Sequence, residues 1–107
     1  MQQLAPVELK AWMSDPARTP PGVLDVREPW EYKLCAIEGS KSMPMSRIAQ
    51  DAAGLDAERD WVVVCHHGMR SFQACMYLQR LGFAKTHNLQ GGIDAWARDV
   101  EPGMARY

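Results

Sequence analysis

Val62-Val63-Val64-Cys65-His66-His67-Gly68-Met69-Arg70-Ser71-Phe72 is the stretch on which the reading of this chain turns. With Trp61 in front, the three valines form a short β-branched run that suits a strand covered on both faces. A tight loop follows, and helical spacing then sets in. From Ser71 to Leu81, the residues Phe72, Ala74, Cys75, Tyr77, Leu78 and Leu81 recur as one apolar face, and Gly82 can close the helix at its C-terminus. Strand, tight loop and helix in that order place Cys65 at the carboxyl end of a strand, where open α/β sheets bind their ligands.

The same alternation extends in both directions. Pro20-Pro21-Gly22 marks a turn, and Val23-Leu24-Asp25-Val26 after it reads as a second buried strand. Lys85 to Leu89, between Gly82 and Gly91-Gly92, reads as a third. Helical segments are expected at Pro6–Met13, at Glu28–Tyr32, at Ser46–Gln50 behind a serine cap, and at Ile93–Arg98. The predicted fold is therefore α/β: a three-layer α/β/α sandwich around a central, mostly parallel sheet of about five strands. The 107 residues form a single domain, 1–107, without repeats or linkers.

Composition narrows the function. Twelve Lys and Arg stand against 13 Asp and Glu, a formal charge of −1, so no basic surplus argues for nucleic acid or an anionic membrane. Apolar residues make up 47%, enough for a real core. Cys35, Cys65 and Cys75 are too few, and odd in number, for a disulfide framework, which points to a reducing, cytoplasmic setting. Neither a secretory signal nor a membrane span is evident.

The loop after Cys65 has the ingredients of an anion-binding nest. Successive N–H groups from His66 to Arg70 can curl inward, Gly68 supplies the backbone freedom, and the helix N-terminus adds partial positive charge. Arg70 brings a fixed cation with planar donors, and His66 and His67 bring titratable rings. Such surroundings favour a thiolate, which makes Cys65 a candidate nucleophile. The plainer alternative is a small apolar residue capping a core strand; the two histidines, glycine and arginine that follow argue against it.

Four motifs in order resemble the single-domain rhodanese-like sulfurtransferases. Val23-Leu24-Asp25-Val26-Arg27-Glu28 with Trp30-Glu31-Tyr32 is similar to the family's first core strand and following helix. Ile37-Glu38-Gly39-Ser40 through Met43-Pro44 is similar to its next segment. The Cys65 loop resembles its active-site loop, and Asn88-Leu89-Gln90-Gly91-Gly92-Ile93-Asp94-Ala95-Trp96 its closing strand–helix motif. Together they span about residues 4–98.

The resemblance implies a sulfurtransferase in which Cys65 takes sulfane sulfur from a small anionic donor such as thiosulfate. The resulting persulfide passes its sulfur to a thiol, to cyanide or to a sulfur-accepting protein. The amides of His66, His67, Gly68, Met69 and Arg70 would bind substrate, with the Arg70 side chain as anion clamp, and no metal or organic cofactor is called for. His66 stands where the two-domain thiosulfate enzymes usually place a basic residue, which leaves the preference for thiosulfate open. Two other readings stand beside this one: a persulfide relay module with little small-molecule turnover, and a Cys-dependent phosphatase or arsenate reductase. That phosphatase class uses a longer loop than the four residues between Cys65 and Arg70.

Elsewhere packing is the expectation. Cys35, Cys75, His87 and most of the tryptophans (Trp12, Trp30, Trp61, Trp96) read as structural. Asp25 and Arg27 read as a loop-fixing pair at a strand end. Met69 is the one methionine placed to line the mouth of the loop. The tail Glu101–Tyr107 drapes over the domain at a place the sequence does not specify.

Overall fold

The computed structural model describes residues 1–107. Five strands, β1 (Gln2–Leu4), β2 (Gly22–Asp25), β3 (Lys41–Ser42), β4 (Trp61–Val64) and β5 (Thr86–Leu89), form one sheet in the order β1-β5-β4-β2-β3. Every pairing is parallel. The five helices are α1 (Pro6–Ser14), α2 (Pro29–Leu34), α3 (Met45–Asp51), α4 (Met69–Arg80) and α5 (Gly92–Asp99). A 3-10 turn at Ala52–Gly54 follows α3. No helix is long and apolar enough to cross a membrane.

The central strand β4 explains its own valines. Val62 and Val64 enter one core with Leu9, Trp12, Ile93 and Trp96 of α1 and α5. Trp61, Val63 and Cys65 enter the other, with Ile48 of α3 and Ala74, Cys75 and Leu78 of α4. All four strand residues are buried, because successive side chains point to opposite faces and both faces are covered. The same period of two puts Cys65 on the α4 side.

The three expected strands and five expected helices are present, with ends moved by a few residues. The edge strands β1 and β3 are additions; at three and two residues they carry too little pattern to stand out. Ser46 does not cap α3, because the helix begins a residue earlier, behind Pro44. α4 begins at Met69, and Gly82 (φ 101°) closes it with Phe83 N–H on the Leu78 carbonyl at 3.1 Å. Phe72 and Leu81, expected on the apolar face of α4, are instead exposed, as is Trp30 on α2. Ser71 takes part of the buried side instead, for a reason that lies in the site.

Helix α5 abuts the loop that follows β4. Ile93 N–H reaches the Cys65 carbonyl at 2.8 Å and Asp94 N–H the His66 carbonyl at 3.1 Å. Gly92 permits this approach: a Cβ there would lie 2.6 Å from the Cys65 carbonyl oxygen and closer still to His66, and its φ is +65°. We predict that Gly92→Ala lowers stability by more than about 2 kcal/mol in denaturant unfolding, from backbone collision and left-handed strain together. A change within about 0.5 kcal/mol would show that α5 can withdraw freely.

Candidate active site

Cys65 is 1% exposed, at the point where β4 gives way to the loop. Its sulfur accepts the Gly68 N–H at 3.1 Å and lies 3.2 Å from the Ser71 hydroxyl. Gly68 adopts φ 101° as the residue before α4, a left-handed turn that swings its N–H inward to the sulfur. Of the amides expected to line the loop, Gly68's is the one bonded to Cys65 Sγ. His66 is half-buried, while His67 and Met69 are exposed, Met69 at the loop's outer edge.

Asn88 of β5 orders this arrangement. Its amide nitrogen donates to the Gly68 carbonyl at 3.1 Å and to Gln3 of β1 at 3.1 Å. A carbonyl can only accept, so the Asn88 oxygen must face Ser71, and Ser71 donates its one hydroxyl hydrogen to it. The Ser71 oxygen therefore presents lone pairs to Cys65 and accepts from the thiol. With the thiol proton gone, the Ser71 hydrogen can turn from Asn88 toward the sulfur.

Arg70, expected on the donor's oxyanion, is engaged by Glu31 of α2 in a bidentate pair at 2.7 and 2.9 Å. Glu31 also accepts the Glu28 N–H at 2.9 Å and the Tyr107 hydroxyl at 2.6 Å. Chiefly through Arg70, its carboxyl is held down at about 2. Tyr107 also accepts from Arg27 at 3.0 Å and lays its ring flat on His66, with centroids 3.9 Å apart and planes 7° from parallel. The tail is thus folded back onto the loop, secured by Arg106 on Asp94 and by Trp96 Nε1 donating to Glu101. Burial, then the neighbouring His67, holds His66 below the ordinary histidine range.

Similarity to known proteins extends over nearly the whole chain. A family model for the rhodanese-like domain matches residues 5–99. The chain belongs to the rhodanese-like domain family. It is 39% identical over 83 residues to a sulfurtransferase of Allochromatium vinosum, covering 78% of each chain. It is 32% identical over 101 residues to the thiosulfate sulfurtransferase GlpE of Pseudomonas aeruginosa, covering 94% of this chain and 87% of the other. A probable adenylyltransferase/sulfurtransferase MoeZ of Mycobacterium tuberculosis is 34% identical, but this chain spans only 26% of its length. Among solved structures, a rhodanese-like domain protein of Staphylococcus aureus superposes with TM-score 0.84 at 25% identity, covering 100% and 99% of the two chains.

Within this rhodanese-like domain the remaining polar residues sort by their contacts. Arg27 and Asp25 form a buried bidentate pair, 2.7 Å at its shortest, with side chains 0% and 1% exposed. Arg27 further donates to the Glu31 and Cys35 carbonyls at 3.2 and 2.7 Å, so it ties α2 to the end of β2. Cys75 is fully buried, and burial pushes its thiol up to about 12. His87 donates its Nε2–H to the Asp60 carboxylate at 3.0 Å and meets the Trp12 ring edge-on. All three cysteines are free.

His66, His67 and Asp94 bring potential ligand atoms within 4.8 Å of one another. The two imidazoles are stacked on each other at 3.9 Å and 29°, and Asp94 already holds Arg106. That is a poor donor set for a metal ion.

Glu31, Ser71, Asn88 and Tyr107 were not singled out from the sequence as site residues. The first three lie inside motifs quoted for the family resemblance, whereas Tyr107 had no local signal at all. Glu31 also yields a pH prediction. Its folded value lies below the ordinary 4.5, so the stability it contributes is fully present above pH 4.5 and is lost as pH falls toward 2. Denaturant unfolding at stepped pH should show that acid loss in the wild type and a flatter profile in Glu31→Gln. Identical slopes would remove Glu31 from the acid response.

Proposed function

We propose that the chain is a sulfurtransferase that carries sulfane sulfur as a persulfide on Cys65. The observation that carries this reading is the Cys65 sulfur at the base of a curled loop, accepting the Gly68 N–H at 3.1 Å beside the N-terminus of α4. A thiolate attacks the outer sulfur of a donor; the Sγ–S bond forms, the donor's S–S bond breaks, and the leaving group departs with the electron pair. With thiosulfate the leaving group is sulfite. A thiol or cyanide acceptor then removes the outer sulfur and restores Cys65.

The loop residues His66 to Arg70 carry the amide dipoles that favour negative charge on the reacting sulfur. Ser71 can follow the change of state, accepting from the thiol and donating to the thiolate. The sulfurtransferase names of the A. vinosum and P. aeruginosa relatives support the same chemistry. A phosphatase reading gains little, since four residues between Cys65 and Arg70 make a tight ring for a tetrahedral phosphoryl group.

A persulfide relay to a partner protein is the second reading. It is favoured by the placement of the four surface cavities, none of which Cys65 lines, so that none of them is a small-molecule pocket opening onto its sulfur. Intact-mass analysis after incubation with a sulfane donor tests the main proposal. We expect a gain of one sulfur atom, reversed by cyanide or dithiothreitol and absent in Cys65→Ser. No adduct with thiosulfate or with an organic persulfide would overturn it.

A further inference from the structure

The arginines around the Cys65 loop are already matched with carboxylates. Arg70 lies on Glu31, Arg27 on Asp25, and Arg106 on Asp94. The Arg70–Glu31 pair matters most, because Arg70 stands in the first turn of α4, two residues after the Gly68 whose N–H bonds the Cys65 sulfur. Glu31 is 4% exposed and receives four hydrogen bonds: two from Arg70, one from the Glu28 N–H and one from the Tyr107 hydroxyl. Both of its oxygens are therefore occupied, and its negative charge stays beside the cation it offsets. His66, which could have added a second cation, is desolvated beneath Tyr107.

What meets the sulfur is thus one peptide N–H, that of Gly68 at 3.1 Å, and the Ser71 hydroxyl at 3.2 Å, with no side-chain cation bonded to it. Such dipoles suit a single negative charge at the sulfur position. A second negative charge on an oxyanion head gains more from a further cation, and Arg70, the cation of the loop, is offset by Glu31. Resting on the sulfur-transfer reading, we infer that Glu31 is a specificity-determining residue. By offsetting Arg70 it turns the site from dianionic inorganic donors toward organic persulfides. In that reaction the Cys65 thiolate attacks the outer sulfur of R–S–SH. The Sγ–S bond forms, the donor's S–S bond breaks, and the inner sulfur leaves as RS⁻ while the proton stays on the transferred sulfur.

Glu31 acts through Arg70, so it is a positioning residue, and the test must separate charge selection from simple damage. Rates of persulfide formation on Cys65 are measured by intact mass in the full chain with two donors. One is thiosulfate; the other is the persulfide of N-acetylcysteine methyl ester, which is uncharged in the R–S–SH form that reacts. The wild type should favour the organic donor by about tenfold or more in second-order rate, the scale of one unscreened charge at close range. Glu31→Gln should shift the ratio toward thiosulfate by about fivefold or more, and Glu31→Asp, which restores the charge, should return it toward the wild-type value. Loss of folding lowers both rates together and leaves the ratio in place. A wild type that favours thiosulfate, or a ratio unchanged in Glu31→Gln, overturns the inference. Absence of any adduct on the wild type with either donor overturns the sulfur-transfer reading itself.

Discussion

The N-terminus of α5 lies against the backbone of the Cys65 loop, with Ile93 and Asp94 donating to the carbonyls of Cys65 and His66. Because those carbonyls point out toward α5, the following turn is free to direct the Gly68 N–H inward at the sulfur. Two glycines make the contact possible for different reasons. Gly92 removes the Cβ that would strike the loop, and Gly68 supplies the left-handed turn that ends it. Asn88, from the neighbouring strand, then fastens the Gly68 carbonyl and fixes which way the Ser71 hydroxyl points. Cys65 is therefore positioned by contacts from α5, from β5 and from the start of α4.

Charge around this loop is arranged in pairs. The buried Asp25–Arg27 pair ties β2 to α2 and, through Tyr107, to the tail. Burying such a pair is expensive unless nearly every donor is matched, and Arg27 meets that condition with two carbonyls and a phenol besides its carboxylate. The Glu31–Arg70 pair connects α2 to the start of α4 on the other side of the same phenol. Tyr107 thus bears on both ends of the loop, by stacking on His66 and by bonding the carboxylate that holds Arg70.

Much of this was readable in the residues. The three valines announced a doubly covered strand, and the abrupt change to Cys65, two histidines, glycine and arginine announced a site at its end. Those signals are local: β-branching, apolar spacing and glycine placement act within a few residues. The exposure of Phe72 and Leu81 was not readable, because helical spacing fixes which residues share a face but not how wide the buried stripe is. Ser71 occupies the buried side since its hydroxyl has partners there in Asn88 and Cys65. The short edge strands escaped for a simpler reason, since two or three residues give no period.

The sequence by itself determined the α/β architecture, the central strand, the candidate nucleophile and the loop around it, because each is encoded by neighbouring residues. Only the tertiary structure decided the partners. Arg70 meets Glu31 across 39 positions, Ser71 meets Asn88 across 17, and Tyr107 returns to Glu31 across 76. No periodicity spans such distances. A hydrogen bond between remote residues is set by how the sheet and helices pack, and that packing is what turns a recognisable loop into a site of defined charge.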